Sequence, residues 1–135
     1  MSASKEAVEG MKRIQFSEDW DKLREPRFTT IRSYRREKEE YYRSLVGKEL
    51  LVWRKTGRSA WNGHKIGTAT LLRVEVVEPR RLSAETLWTD TARNGTVDNA
   101  WLRRLMEMDR ALLLEFENHT GLLASKRDRP EQGGG

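Results

Sequence analysis

The chain has 135 residues, of which 36% are hydrophobic and 35% charged, a composition typical of one domain with one core and a strongly ionic surface. The lack of cysteine excludes disulfides, thiolate metal sites and cysteine nucleophiles, and with only two histidines we expect no metal and no cofactor. No apolar run is long enough to span a bilayer and no signal-peptide core follows the first residues, so we expect a cytoplasmic protein without a membrane partner.

Strand and helix patterns follow one another along the chain. In order, the sequence predicts a short strand at Ile14–Phe16, a helical turn at Glu18–Leu23 capped by Ser17, a strand at Phe28–Arg32, a helix at Glu37–Val46 ended by Gly47, strands at Glu49–Lys55 and Lys65–Val77, a short helix from Ser83 to Trp88, a helix after Asp98 and a last strand at Ala111–Asn118. In the long strand, every second residue from Ile66 to Val76 should share one face. Trp88 and Trp101 are predicted packing residues.

These elements predict three segments. Residues 1–12 and 123–135 are expected to be flexible tails, the second ending in three glycines, and residues 13–122 to form the domain. A strand and a helix followed by several strands with short helices between them predict an α+β fold, a small β-barrel decorated with short helices.

Positive charge is concentrated in one region. From Arg24 to Arg81 the chain carries 15 Lys and Arg against 7 Asp and Glu, whereas the rest carries 11 against 14. Such a field attracts polyanions, and nucleic acid is the first candidate partner. The abundance of Glu, Lys and Arg is also typical of proteins from heat-adapted sources.

Arginines surround hydroxyl groups between Arg27 and Arg36. A guanidinium offers a planar fork to a phosphate or a base edge, so we expect Arg27, Arg32 and Arg35 on phosphates and Thr30 or Tyr34 near a base. Alternation along a strand puts Thr30 and Arg32 on the same side, in one cleft. The alternative is a solvated basic edge paired with nearby glutamates.

A second cluster of cations and aromatic rings lies in the hairpin around residues 53–65. Lys55, Arg58, Trp61 and Lys65 could hold an unpaired base and its phosphate. The alternative is a loop in which Trp61 folds back on the barrel.

The segment Arg27–Arg32 resembles the ASCH domains, whose signature is GxKxxExR. In that spacing the Gly falls on Glu25, the Lys on Arg27, the acidic position on Thr30 and the Arg on Arg32. Small bacterial members that hydrolyse N4-acetylcytidine also have Thr at the acidic position, in a Lys-Thr-Ile-Thr-Ile-Arg segment similar to this one. The order of the later elements extends the resemblance over about residues 14–118.

The resemblance implies a PUA-like β-barrel associated with RNA. It also makes Thr30 and Arg27 candidate catalytic residues, because the amidohydrolase members use a Lys beside the Thr. Arginine stays protonated under nearly all conditions, so Arg27 can clamp an anion but is a poor general base.

Three functions remain open from the sequence. The first is a module that binds RNA or single-stranded nucleic acid through a basic cleft of the barrel. The second is a hydrolase acting on modified cytidine or on RNA, an amidohydrolase or a ribonuclease using Thr30. The third is a module whose basic face binds an acidic protein.

Overall fold

The computed structural model describes residues 11–18, 20–57 and 62–119. Its elements in chain order are β1 (Arg13–Phe16), a 3-10 turn (Asp21–Arg24), β2 (Arg27–Ser33), α1 (Arg36–Ser44), β3 (Glu49–Lys55), β4 (Gly63–Val77), a second 3-10 turn (Pro79–Arg81), α2 (Ala84–Thr91), β5 (Ala92–Arg93), β6 (Thr96–Val97), α3 (Asn99–Met106) and β7 (Ala111–Asn118). The fold is therefore α+β, as the sequence predicts. The expected tails lie almost wholly outside the described residues.

Five strands form one sheet in the order β1-β3-β4-β7-β2. β1 runs parallel to β3, and every other pair is antiparallel. The sheet brings Thr30 opposite Leu114 and Arg32 opposite Leu112 at its β2 edge. This edge, with β1 on the other side, frames the pocket described below.

The sheet is open within the described residues, so the closed barrel expected from the sequence is not found. β1 and β2 are both edge strands and do not pair with each other. Instead, the Arg32 guanidinium on β2 donates a hydrogen bond of 2.8 Å to the Gln15 carbonyl on β1. A side chain spans the gap where strand pairing would close a barrel.

The long strand β4 changes its buried face halfway along. Ala69 and Leu71 are buried in the first half, whereas Val74 is buried in the second half. A bulge between Leu71 and Arg73 inserts one residue into the pairing with β7 and returns Val74 to the core. The prediction that every second residue from Ile66 to Val76 shares one face is therefore wrong, because the phase changes at the bulge.

Two apolar clusters lie on opposite faces of the sheet. In the larger one, Phe28 stacks on Phe116 with ring centroids 5.2 Å apart and meets Phe16 edge to face. In the smaller one, Ile31 and Leu113 pack with Leu105 of α3. Because both faces of β7 are covered, Ala111–Leu114 is buried without alternation.

The predicted caps begin two helices. The Ser83 hydroxyl accepts from the Thr86 amide at 3.1 Å, and the Asp98 carboxylate accepts from the Trp101 amide at 3.1 Å. Ser17 caps no helix, because the chain forms only a 3-10 turn later, at Asp21–Arg24. Trp88 is 50% exposed, so its predicted packing role is wrong.

A two-residue hairpin turn follows α2. Asn94 and Gly95 both have positive φ angles, 55° and 74°, which suit the tight turn between β5 and β6. The Asp21 carboxylate accepts hydrogen bonds from both of their amides, at 2.8 and 2.7 Å. These bonds hold the first 3-10 turn against the β5–β6 turn that follows α2.

None of the described helices is long and apolar enough to cross a membrane.

Candidate functional site

A pocket of about 380 Å³ lies beside the gap between β1 and β2. Its walls come from β1 and the residues after it, the first 3-10 turn, β2, the end of α2 and the start of α3. The lining residues that bear on function are Phe16, Glu18, Trp20, Lys22, Thr30, Arg32, Asp90, Asp98, Trp101 and Arg104. We call this the edge pocket.

A buried ion pair lies at the inner end of the edge pocket. Lys22 is 2% exposed and Asp90 is 0% exposed, and the Lys22 ammonium donates a hydrogen bond to the Asp90 carboxylate. Asp90 also accepts from the Ile31 amide at 3.1 Å and from the Trp101 indole nitrogen at 2.8 Å. Three donors thus compensate the cost of burying this carboxylate.

Burial lowers the pKa of two of the cations that line the pocket, Lys22 and Arg32. Loss of solvation lowers the pKa of the Lys22 ammonium, although the charge of Asp90 and its hydrogen bond act in the opposite direction. Burial also lowers the pKa of the Arg32 guanidinium, with Tyr42 and Asp90 opposing the change. An amine with a lowered pKa can exchange a proton nearer neutral pH than an exposed lysine can.

β2 presents Thr30 and Arg32 to the same pocket. Thr30 is buried, with 4% of its surface exposed. The Arg32 guanidinium lies 4.9 Å from the centre of the Phe16 ring while it bonds to the Gln15 carbonyl. The pocket therefore combines a hydroxyl, an oriented guanidinium and the buried ammonium of Lys22.

Aromatic rings form much of the remaining wall. Phe16, Trp20 and Trp101 all line the pocket, and the indole nitrogen of Trp101 is oriented by its bond to Asp90. The Arg104 guanidinium lies 5.8 Å from the centre of the Trp101 ring. Flat rings with fixed orientations suit a planar ligand.

Among the described residues that line the edge pocket, the charges balance. The lining cations are Lys22, Arg32 and Arg104, and the lining carboxylates are Glu18, Asp90 and Asp98. Arg93 pairs with Glu18 and lies 3.4 Å from Asp98, which ties these two acids together at one side. The pocket is therefore polar and aromatic rather than the strongly basic cleft expected from the sequence.

Several of the predicted site residues lie outside the edge pocket. Arg27 is exposed and its guanidinium is 3.8 Å from Glu115. Tyr34 packs against the core, donates to Glu39 at 3.1 Å and lies under the Arg110 guanidinium, while Arg35 is exposed where α1 begins. Of the segment Arg27–Arg36, only Thr30–Arg32 reaches the pocket.

The contacts of Tyr34 and Glu39 shift both of their pKa values. The hydrogen bond to Glu39 raises the pKa of the Tyr34 hydroxyl. The bond from Arg43, followed by that from Tyr34, lowers the pKa of the Glu39 carboxyl. Glu39 thus joins Tyr34 by a hydrogen bond and Arg43 by an ion pair, a local network that agrees with the alternative of a basic edge paired with nearby glutamates.

The hairpin cluster is only partly brought together. Lys55 lines a second, more open depression of about 470 Å³ with Ser17, Arg54, Thr56 and Gly57. Lys65 is exposed on β4 opposite Trp53. Arg58 and Trp61 lie outside the described residues.

Sequence reasoning missed Lys22, Asp90 and the pocket role of Trp101. Lys22 and Asp90 are 68 positions apart, and neither stands in a motif that marks a site. Trp101 falls on the apolar stripe of a predicted helix, where packing explains a tryptophan well. Within the described ranges, no group of three or more His, Asp or Glu side chains is placed to hold a metal ion.

No protein-family model matches the chain, and neither a curated protein nor a solved structure is significantly similar to it.

Proposed function

We propose that this protein binds RNA or single-stranded nucleic acid by taking one unpaired base into the edge pocket. The observation that carries the proposal is the combination of aromatic walls with a charge-balanced set of polar groups. Trp20 and Trp101 bring aromatic rings to the pocket beside the almost fully buried Phe16, while Thr30 and Arg32 offer hydrogen bonds. A neutral, planar, polar-edged group such as a nucleobase fits this chemistry better than a phosphate does.

The pocket has the size and energetics that such a ligand needs. A volume of about 380 Å³ lies within the ~300–1,000 Å³ range of small-ligand pockets. Stacking of a base on an aromatic side chain contributes about 1–3 kcal/mol. Because Arg32 already bonds to Gln15, its guanidinium is oriented before a ligand enters.

The resemblance to ASCH domains supports the same reading. The matched positions that lie in the pocket are Thr30 and Arg32, the two that end the signature. An RNA ligand and a PUA-like relationship of the open sheet belong to this proposal. The exposed position of Arg27 removes it from the proposed base site.

Binding of oligonucleotides and of nucleosides tests the proposal. We expect the protein to bind a short single-stranded RNA at low salt, and Trp101→Ala to weaken binding at least about fivefold through lost stacking. Trp88→Ala is the matched control, because Trp88 is exposed on α2 and does not line the pocket. Binding is measured by calorimetry, with a thermal melt to show that each variant is folded.

Trp101→Phe separates the two roles of this residue. The substitution keeps a ring but removes the hydrogen bond to Asp90. We expect it to retain most of the affinity. A wild-type protein that binds neither RNA, DNA nor any nucleoside at low salt contradicts the proposal.

A second candidate function is hydrolysis of an acylated base such as N4-acetylcytidine. The observation that favours it is the buried Lys22, whose lowered pKa suits proton transfer in the pocket that also holds Thr30. The sequence placed Arg27 in that role, and its guanidinium could not serve. The amine that lines the pocket comes from the 3-10 turn instead.

In this reaction the Thr30 oxygen attacks the acetyl carbon and its proton passes to Lys22, whose ammonium must first have lost a proton to solvent. The cytidine nitrogen leaves with a proton, and water then releases acetate and restores Thr30. The test is release of cytidine from N4-acetylcytidine by the wild type, loss with Thr30→Ala and partial activity with Thr30→Ser. No turnover by the wild type, on this substrate or on labelled RNA, removes the second candidate.

A further inference from the structure

The second depression lies next to the edge pocket but has a different charge. Among the described residues that line it, the cations are Arg54 and Lys55 and there is no carboxylate. Within the described ranges, neither Arg54 nor Lys55 forms an ion pair. The depression is therefore cationic, whereas the edge pocket carries three carboxylates beside its three cations.

The two sites meet at Ser17, which lines both of them. In the parallel pairing of β1 with β3, Phe16 of the edge pocket lies opposite Arg54 of the cationic depression, on strands about 4.8 Å apart. One ligand of modest size can touch both.

Hydrogen bonds shape the cationic depression. Arg54 donates at 2.8 Å to the Ser17 carbonyl and at 2.6 Å to the carbonyl of Lys55. The Thr56 amide donates to the Asn62 carbonyl at 2.9 Å, which closes the hairpin beside it. The Arg54 side chain thus holds the backbone of Ser17 and of Lys55 in place.

We propose that Arg54 and Lys55 form a phosphate subsite that holds the phosphate of the nucleotide whose base occupies the edge pocket. This inference rests on the proposed function. A phosphate is attracted to two cations whose described neighbours in the depression include no acid, whereas in the edge pocket three carboxylates offset the attraction of the three cations. The sugar then lies over Ser17, between the two sites.

The phosphate that occupies the subsite can come from either of two kinds of ligand. The phosphate is either the terminal group of a free nucleotide or an internal phosphodiester of a polynucleotide. The subsite in either case makes the ligand a nucleotide rather than a bare nucleoside. It also places recognition of base and of charge on different strands, the base at β1 and β2 and the charge at β3.

The test measures how much a phosphate improves binding. For the nucleoside that binds most tightly to the wild type, its 5′- and 3′-monophosphates and a pentanucleotide containing it are compared by calorimetry. We expect at least one phosphorylated form to bind about 10-fold more tightly than the nucleoside, as a charge-assisted contact supplies. Lys55→Gln should remove most of this gain and leave nucleoside affinity unchanged.

Two further variants make the result specific. Lys48→Gln removes the same charge just before the opposite end of β3, and we expect it to keep the phosphate gain. Lys55→Arg keeps the charge and should keep most of the gain. A gain confined to a monophosphate identifies a free nucleotide as the ligand, and a gain confined to the pentanucleotide identifies a phosphodiester; both support the subsite.

Failure of the subsite and failure of the base pocket give different results. If nucleosides bind but Lys55→Gln and Lys48→Gln behave alike with every phosphorylated ligand, the phosphate subsite is overturned and the base pocket stands. If the wild type binds no nucleoside, nucleotide or oligonucleotide, the proposed function fails and the subsite with it.

Discussion

Asp90 connects three elements around the pocket, although nothing in the sequence around it marks it as a site residue. Its carboxylate joins the first 3-10 turn through Lys22, β2 through the Ile31 amide and α3 through Trp101. Each of these donors comes from a different element. A single buried acid therefore sets the relative positions of three walls of the pocket.

Asp90→Ala should destabilise the protein by about 3–5 kcal/mol, because it leaves the Lys22 ammonium buried without its partner. Urea unfolding measures the change. Asp109→Ala is the control, since the Asp109 side chain is 95% exposed and its ion-pair partner among the described residues is Arg80, at the surface, so we expect no measurable effect. Equal stability of the two variants would show that the buried pair does not support the fold.

The lowered pKa of Lys22 makes stability depend on pH in a stated direction. Between that lowered value and the ordinary 10.5, the unfolded chain holds the proton more tightly than the folded protein does. The free energy of unfolding should therefore rise with pH across this window, and the full cost of the buried charge is present below it. Urea unfolding from about pH 7 to pH 9 measures the rise.

Lys22→Met is the comparison for this pH series. The variant lacks the titrating group, so the rise should be smaller in it than in the wild type, whatever its absolute stability. The series ends at about pH 9 because the raised pKa of Tyr34 makes the free energy of unfolding fall with pH above its ordinary value of 10.0. A wild type and variant with the same slope would contradict the assignment.

Among the elements, the β5–β6 hairpin shows how a local signal can be overlooked. Asn-Gly is a strong signal for a tight turn, yet each flanking strand has only two residues, too short for an alternating pattern. Helices with caps were easier to predict, because Ser83 and Asp98 stand directly before their first turns. Local chemistry predicts an element well when the element is long enough to repeat its pattern.

Gly95→Ala should destabilise the protein by about 1 kcal/mol. A methyl group at Gly95 meets nothing within 4 Å, so the cost comes from the positive φ of 74° and not from a clash. Gly95→Asn is the matched variant, because asparagine tolerates this conformation and should cost less. Chemical unfolding that ranks the asparagine variant below the alanine variant would contradict this explanation.

The bulge in β4 marks where pattern reading stops working. Period-two alternation predicted one shared face from Ile66 to Val76, but one inserted residue reverses the phase, so that Ala69 and Leu71 are buried before the bulge and Val74 after it. Nothing in Leu71-Leu72-Arg73 signals the insertion. It is visible only in the pairing with β7, which is a contact between distant parts of the chain.

For the whole molecule, the sequence predicted the α+β class and the positions of most strands and helices. It placed Thr30 and Arg32 on one face, and both line the edge pocket. It did not predict Lys22, Asp90 and Trp101 as their companions, because long-range packing brings these residues together. Nor did it predict the open edge, since closure depends on strand pairing that local patterns do not encode.

Because the edge pocket is charge-balanced and the second depression is cationic, nucleosides and oligonucleotides should differ in how their affinity depends on salt. Nucleoside affinity should change less than about twofold between about 50 and 200 mM salt, because the charges of the edge pocket balance. Pentanucleotide affinity should fall with a logarithmic slope of about −0.7 for each phosphate neutralised. Calorimetric titrations at several salt concentrations measure both slopes, and equally steep slopes would argue against base binding in a balanced pocket.

The Arg32 bond to Gln15 also has a mechanical consequence. Paired strands in the sheet are joined by backbone hydrogen bonds, whereas the two edge strands β1 and β2 are joined by the flexible side chain of Arg32. Their separation can therefore vary more easily than that of paired strands. A ligand seated between them adds contacts to both edges and clamps the sheet. Amide hydrogen exchange along Arg13–Phe16 and Arg27–Ser33 should then slow on binding, because the bound ligand makes the two edge strands more rigid.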